Sequence, residues 1–332
     1  MRAPEFWKNP KNTRALGAAL TLLWSPCGWV YGQAVEIKQR LSAEPWVCPV
    51  PVICVGNLTL GGAGKTPVAL SIMQRLQSFG LNAHFLTRGY GGKLTGPVHV
   101  DTNLHSFHDV GDEALILAQT APTWVSPDRV KGAKSAIETG AQAIVMDDGF
   151  QNPSLYKNLS LIVIDGAYGF GNGRVVPAGP LRQPLKPGLD RSDVFIIIGD
   201  DQFNISKTLN KPTFKASVQE NDWPKTFAQR PIIAFAGIGR PQKFYDAIKN
   251  QGGNLIESHS FADHFPYDKQ HLEPIINSAK SKNAVVVTTE KDMVRVPGNL
   301  RHEIKPLSIS LDWFDRTTLD QTLMHTINCS PQ

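Results

Sequence analysis

This chain of 332 residues lacks the features that would point to several other classes of protein. Its four cysteines, Cys27, Cys48, Cys54 and Cys329, show no metal-ligand spacing, which favours free thiols in a reducing compartment. No internal repeat or low-complexity segment is evident, and a hydrophobic content of 41% argues against a disordered tail or a fibre. The formal net charge of +5 is too small to indicate a nucleic-acid partner, but it suits a phosphorylated ligand or an anionic membrane surface.

Charged side chains are also missing from residues 15–35, near the N-terminus. The stretch lacks the small-residue cleavage site of a secretory signal, and Pro26 and Gly28 interrupt it where a membrane span needs about 20 apolar residues. It contains residue types that favour the membrane–water interface, namely Trp24, Trp29 and Tyr31. We therefore predict a helix, or a broken helical hairpin, that lies in one leaflet and anchors the protein. The alternative is a buried helix packed on the main domain.

Residues 50–67, VPVICVGNLTLGGAGKTP, have the layout of a phosphate-binding P-loop. An apolar, β-branched run predicts a buried strand, and Gly61, Gly62, Ala63 and Gly64 then form a turn whose N–H groups can converge on phosphate oxygens. Lys65 is expected to bridge the β- and γ-phosphates, and the Thr66 hydroxyl to bind Mg²⁺. The pattern departs from the usual one at Thr59, where a glycine is expected.

Strand and helix patterns alternate along the rest of the chain. Apolar runs predict strands at residues 83–87, 143–146, 194–198 and 232–236, and helical periodicity follows the P-loop. This alternation predicts an α/β protein, with a P-loop NTPase-like, mostly parallel sheet covered by helices on both faces. We expect an N-terminal membrane-associating segment over residues 1–45, a P-loop kinase domain over 46–205 and a second, smaller α/β lobe over 206–332.

Acidic residues lie where such a protein needs them. Asp147 and Asp148 end an apolar strand, a position at which P-loop proteins hold Mg²⁺. Asp112 and Glu113 precede a helical stretch, where capping is the simpler explanation and metal binding or general-base chemistry the functional one. His264, between aromatic residues, has Asp263 as a neighbour that could tune its imidazole.

Residues 177–184 are too rich in proline for a helix or a central strand, so we expect a rigid exposed loop. Basic residues such as Arg174 and Arg182 flank it or lie in it. They are either solvated surface charges or a groove for an anionic substrate.

In order along the chain, these residues resemble the tetraacyldisaccharide 4′-kinases of lipid A biosynthesis. The motifs that carry the resemblance are Gly56-Asn57, Gly61-Gly62-Ala63-Gly64-Lys65-Thr66-Pro67, Thr87-Arg88-Gly89-Tyr90-Gly91, Gly111-Asp112-Glu113, Asp147-Asp148-Gly149-Phe150-Gln151, the loop over 177–184, Phe261-Ala262-Asp263-His264 and Thr289-Glu290-Lys291-Asp292. Together they extend over nearly the whole chain. The family's phosphate loop is similar to GGxGKT, which accounts for Thr59.

The resemblance implies an enzyme on the cytoplasmic face of the bacterial inner membrane. It would transfer the γ-phosphate of ATP, with Mg²⁺, to the 4′-hydroxyl of a tetraacylated glucosamine disaccharide 1-phosphate, giving lipid IVA. By this resemblance Asp112 is the base, His264 tunes it, and Lys65 and Thr66 hold phosphates and metal. The remaining implied roles are an acidic metal shell of Glu113, Asp147 and Asp148, and a substrate surface of Arg88, Tyr90, Gln151, Asn152, Arg174 and Arg182.

Asn152 departs from the family, which usually has histidine there, so a charge-dependent role at this position is in doubt. Two other functions fit part of the sequence. A soluble P-loop kinase acting on a small metabolite leaves the uncharged N-terminal stretch unexplained. A membrane-associated NTPase switch leaves the second lobe with His264 unexplained. The sequence does not distinguish ATP from GTP.

Overall fold

The computed structural model describes residues 4–8, 15–220 and 230–329. Its strands, numbered along the chain, are β1 (Val52–Gly56), β2 (Ala83–Thr87), β3 (Val98–His99), β4 (Thr123–Val125), β5 (Ala143–Asp147), β6 (Leu159–Asp165), β7 (Val194–Ile198), β8 (Thr213–Glu220), β9 (Ile232–Ala236), β10 (Leu255–Ser260), β11 (Val285–Thr289), β12 (Ile304–Leu307) and β13 (Ile309–Trp313). Its α-helices are α1 (Ala15–Arg40), α2 (Lys65–Ser78), α3 (Phe107–Val110), α4 (Asp112–Ala118), α5 (Arg129–Glu138), α6 (Leu185–Asp190), α7 (Pro241–Asn250), α8 (Lys269–Ser281), α9 (Glu290–Met293) and α10 (Arg316–Asn328).

Nine strands form one large sheet, in the order β13-β8-β7-β6-β1-β5-β2-β4-β3. Its centre is parallel, and β1, β2 and β5 are buried at every position, as expected for strands covered on both faces. The pairing of β1 with β5 sets Val55 opposite Asp147, so the strand that enters the P-loop ends beside the strand that carries the carboxylates. The predicted α/β class and parallel sheet are confirmed.

The four remaining strands form a smaller parallel sheet in the order β10-β9-β11-β12. This small lobe differs in extent from the predicted lobe over residues 206–332, because β8 and β13 belong to the large sheet and Leu319 and Leu323 of α10 pack in its core. The sequence does not predict β8 because this strand lies near the sheet edge and is not a continuous apolar run. Phe214 and Ala216 are buried, whereas Lys215 between them is exposed. The small lobe is therefore inserted in the chain between β8 and β13, two strands of the large sheet.

The N-terminal stretch forms one helix, α1, which continues through Pro26. Gly28 and Gly32 of this helix approach the rest of the protein closely: an added Cβ would lie 2.6 Å from the Val175 carbonyl oxygen at Gly28 and 3.2 Å from Pro184 at Gly32. Glycine at both positions lets the helix backbone approach this loop. In the part of the chain that the structure describes, no helix combines the length and apolarity needed to cross a membrane.

The loop over residues 177–184 differs from the exposed loop that its prolines predicted. Ala178 and Leu181 are buried, because α1 covers one side of the loop and the segment after β1 pairs with the other. The backbone N–H of Leu60 donates to Pro180 over 2.7 Å, and that of Arg182 donates to Leu58 over 2.8 Å. The loop thereby joins the N-terminal helix to the phosphate loop.

Candidate active site

The P-loop connects β1 to α2 and faces open space. Gly61 and Gly64 have φ values of +103° and +87°, which glycine adopts without strain. A Cβ added at Gly61 or Gly62 would meet nothing within 4 Å, so the loop is free to receive a ligand. The first N–H groups of α2 have no partners within the helix and, with its dipole, favour an anion there.

The structure also explains Thr59. Thr59 pairs with Leu181 in an antiparallel bridge, and its carbonyl oxygen accepts a 2.7 Å hydrogen bond from the Asn57 side chain. This part of the loop is extended and braced by a neighbouring segment instead of turning tightly, so it does not need the glycine of the usual pattern.

Asp147 lies at the end of β5, within reach of the P-loop. The Thr66 hydroxyl donates to Asp147 Oδ2 over 3.2 Å, and Asp147 Oδ1 is buried without a hydrogen-bond partner. Burial, together with the negative charge of Glu113, raises the pKa of Asp147 to about 7, against the opposing effect of Lys65. A buried carboxylate with an unpaired oxygen, next to a hydroxyl, is a site prepared for a cation.

Asp148 has the opposite environment. It adopts a left-handed conformation with φ +53°, and its Oδ1 lies 2.7 Å from Arg182 and 3.8 Å from Lys65. Burial by itself raises its pKa, but the charges of Lys65 and Arg182 outweigh burial and lower it. Asp148 therefore pairs with two basic side chains beside the phosphate loop.

Asp112 and His264 meet across the two lobes. His264 Nδ1 lies 2.8 Å from Asp112 Oδ2. His264 has a φ of +58° in the turn after β10, and its backbone N–H donates to the Gly237 carbonyl over 3.1 Å. Burial opposes ionisation of Asp112, but the hydrogen bond from His264 and the charges of Lys291 and Arg295 lower its pKa.

Lys291 links this pair to Glu113. Its Nζ lies 3.1 Å from Glu113 Oε1 and 3.5 Å from His264 Nε2. Burial alone lowers the pKa of Lys291, but the charges of Glu113 and Asp112 raise it overall, so the amine stays protonated. An ammonium group can only donate, so a neutral His264 presents the Nε2 lone pair on this side and donates its Nδ1–H to Asp112.

A buried ion pair supports the cluster from the small lobe. Asp292 Oδ1 accepts hydrogen bonds from the Gly237 N–H over 2.8 Å, the Tyr267 hydroxyl over 2.7 Å and Arg295 over 2.7 Å. Arg295 Nε lies 3.7 Å from Asp112 Oδ2. Within the motif Thr289-Glu290-Lys291-Asp292, Lys291 thus lies in the site and Asp292 belongs to the ion pair that supports it. The family resemblance includes this motif without assigning roles to its residues, although a charged motif directly after an apolar strand is a signal for a site.

The predicted substrate residues are spread more widely. The Tyr90 ring centroid is 5.9 Å from that of His264, and exposed Arg88 follows directly after β2. Gln151 instead donates to the Asn57 carbonyl over 2.9 Å, and Asn152 Oδ1 accepts from the Ser154 N–H and hydroxyl.

Arg182 contacts Asp148, as described above, and Arg174 is exposed beside the loop that α1 covers. The structure thus brings Arg182 to the phosphate loop and Tyr90 to His264, and it brings Arg174 to neither. Buried Arg129, near Asp147 and Asp148, was missed by the sequence reasoning, and burial lowers its pKa to about 10.

The predicted shell of three metal-binding carboxylates is not assembled. Among the described residues, no three His, Cys, Asp or Glu side chains are grouped to hold a metal ion. Glu113 is paired with Lys291 and Asp148 with Arg182 and Lys65. Thr66 and Asp147 still fit Mg²⁺, which binds few protein ligands and completes its octahedron with phosphate oxygens and water.

An open P-loop beside strand-terminal carboxylates, together with an Asp–His pair formed across the two lobes, defines a P-loop phosphotransferase. A family model for tetraacyldisaccharide-1-P 4′-kinase, LpxK, matches residues 20–328. The chain is 46% identical to the tetraacyldisaccharide 4′-kinase of Paramagnetospirillum magneticum, over 94% of this chain and 95% of that protein. It is 47% identical to that of Rhodospirillum rubrum, over 93% of each. The protein belongs to the tetraacyldisaccharide 4′-kinase family.

A solved structure supports the same assignment. The crystal structure of LpxK from Aquifex aeolicus in complex with ATP superposes with a TM-score of 0.77 at 26% sequence identity. The match covers 93% of this chain and 99% of that chain.

Proposed function

We propose that the protein is an ATP-dependent kinase that phosphorylates the 4′-hydroxyl of a tetraacylated glucosamine disaccharide 1-phosphate, giving lipid IVA. Membership of the family supplies the reaction, and the P-loop facing open space beside the Asp112–His264 pair is the observation that supports it in this chain. If the protein were a small-metabolite kinase or an NTPase switch, its membership of this family would be unexplained.

The phosphate chain of ATP is bound by the P-loop N–H groups and by Lys65. Thr66 and Asp147 would hold Mg²⁺, which, when bound, neutralises charge on the β- and γ-phosphates. Phosphoryl transfer has a loose transition state, so positioning and charge neutralisation supply most of the catalysis. Arg182 and Lys65 add positive charge at the same edge of the sheet.

The Asp112–His264 pair takes the proton of the attacking hydroxyl. The sequence prediction made Asp112 the base, but its side chain is 4% exposed whereas that of His264 is 35% exposed. Asp112 also accepts the Glu113 N–H through its other oxygen, over 2.9 Å. We therefore assign contact with the hydroxyl to His264 Nε2, where the hydroxyl replaces the long 3.5 Å contact with Lys291. Asp112 holds the imidazole and stabilises its charged form.

The assay that tests this function incubates purified protein with ATP, Mg²⁺ and the lipid disaccharide 1-phosphate. Mass spectrometry should detect one added phosphate, and digestion of the product should place it on the 4′-oxygen. A protein that hydrolyses ATP and leaves the lipid unmodified would be a switch. A protein that phosphorylates only soluble sugars would be a small-metabolite kinase.

We further propose that the protein lies on the cytoplasmic face of the inner membrane, and the exposed face of α1 supports contact with a membrane surface. Leu22, Leu23 and Trp29 are 71%, 70% and 67% exposed, while Gly28 and Gly32 contact the loop next to the P-loop. A helix with an apolar outer face and aromatic side chains lies in the membrane interface. It would bring the active site to a lipid substrate that stays in its leaflet.

Deleting α1 would also uncover the loop over residues 177–184, so point substitutions test the anchor more cleanly. Leu22→Gln combined with Leu23→Gln and Trp29→Gln should reduce co-flotation with phosphatidylglycerol vesicles. The matched control is Leu104→Gln with Phe314→Gln, which removes similarly exposed apolar side chains elsewhere. Equal flotation of the wild type and the α1 variant would contradict the proposal.

A further inference from the structure

A second ion-pair cluster joins the two lobes. Asp165, the last residue of β6, accepts hydrogen bonds at Oδ2 from Arg240 over 2.7 Å and from Lys243 over 2.8 Å. Its Oδ1 accepts the Ala167 N–H over 3.0 Å, which fixes the carboxylate on the large lobe. The Arg240 guanidinium also lies over the Tyr168 ring, 4.7 Å from its centroid. Arg240 and Lys243 come from the small lobe, at the start of α7.

This cluster lies on the opposite flank of the P-loop from Asp112. In the sheet, β1 has β6 on one side and β5 on the other. Asp165 is in register with Ile198, whose side chain lies 2.5 Å from the position of a Cβ added to Gly64. Asp112 begins α4, which packs against β2 and β4 beyond β5. The small lobe therefore contacts the large lobe on both sides of the phosphate loop.

The two contacts share one short turn of the small lobe. The Gly237 carbonyl after β9 accepts the backbone N–H of His264, and Arg240 follows three residues later at the start of α7. The Gly237 N–H also donates to Asp292, and the Gly237 carbonyl accepts a hydrogen bond from Arg295. The ion pair between Asp165 and Arg240 therefore restrains the same segment whose Gly237 carbonyl accepts the His264 N–H.

We propose that Asp165 is a positioning residue for phosphoryl transfer. By holding Arg240 and Lys243, it fixes the turn after β9 and so sets His264 against Asp112 over the P-loop. The inference rests on the proposed kinase function. A catalytic group displaced by about 1 Å typically costs about 10²-fold in rate, so partial loosening of the turn should lower kcat by about 10-fold. Binding of ATP, which depends on the P-loop, should change little.

The experiment measures kcat and KM for Asp165→Asn in the full-length protein with ATP and the lipid disaccharide. We expect kcat to fall by about 10-fold and the KM for ATP to change by less than about threefold. Asp165→Glu, which keeps the charge, should recover part of the loss. Glu257→Gln is the matched control, because Glu257 forms an ion pair with Lys282 inside the small lobe and should leave kcat unchanged.

The decisive measurement places Asp165→Asn in a His264→Ala background. If Asp165 acts through His264, it should cause little further loss of kcat there. An equal 10-fold loss in both backgrounds, or a wild-type kcat for Asp165→Asn, would overturn the proposal. If Asp165→Asn fails to fold, Arg240→Gln with Lys243→Gln breaks the same contact from its more exposed side, and the same criteria apply. A wild-type protein inactive on the lipid would contradict the kinase function itself.

Discussion

Asp147 and Asp148 are adjacent carboxylates for which the structure predicts opposite effects of the same substitution. The pKa of Asp147 is raised to about 7 by burial and by Glu113, whereas that of Asp148 is lowered by Lys65 and Arg182 despite burial. Asparagine keeps the shape of both side chains, and at Asp148 it also tolerates the left-handed conformation. Each Asp→Asn variant thus reports the free energy of keeping one charge in the folded protein.

The sign follows from linkage between proton binding and folding. For Asp147 the folded state binds a proton more tightly than the unfolded state, so its contribution to stability falls as pH rises from about 4 to 7. A shift from 3.8 to about 7 corresponds to at most about 4 kcal/mol at pH 8. Asp147→Asn removes this cost, and we expect it to raise the melting temperature at pH 8 by at most ~6 °C.

Asp148→Asn should do the reverse. Its carboxylate contributes stability above the ordinary carboxylate pKa, and that contribution is lost as pH falls through the lowered value, so the variant should melt below the wild type at pH 8. The assay is thermal unfolding of both variants without nucleotide or metal, from pH 4 to pH 8. The Asp147→Asn difference should be small at pH 4 and grow with pH. A lower melting temperature for both variants at pH 8 would refute the assignment of charges at this strand end.

Lys65→Ala should lower kcat/KM by at least about 10²-fold, because it removes a cation from the developing phosphate charge, and steady-state kinetics checks this; near-wild-type turnover would exclude the P-loop role. Asp112→Ala and His264→Ala should each lower kcat by about 10²–10⁴-fold, and the double variant should lose little more because the two act as one unit; additive losses would show independent roles. Asp292→Ala should destabilise the protein by about 3–5 kcal/mol, because it removes the carboxylate 2.7 Å from the buried Arg295 guanidinium and leaves only the more distant Asp112, at 3.7 Å; an unchanged denaturant midpoint would contradict this.

The local elements were predictable because short-range patterns determine them. The strands at 83–87, 194–198 and 232–236 have the predicted bounds, since buried parallel strands are continuous apolar runs. The glycines, Lys65 and Thr66 of the P-loop could likewise be assigned in order from the sequence. These features need only neighbouring residues.

The sequence by itself determined the α/β class and the P-loop, and it predicted most of the residues that lie at the candidate site. Tertiary structure decided which groups each of them contacts. Asp112 and His264 are 152 residues apart and meet only because the small lobe returns over the sheet. Asp147 and Asp148 are neighbours in the chain, yet one is buried with a free oxygen and the other neutralises two cations. Desolvation and charge pairing depend on distance in space, and no sequence pattern encodes that distance.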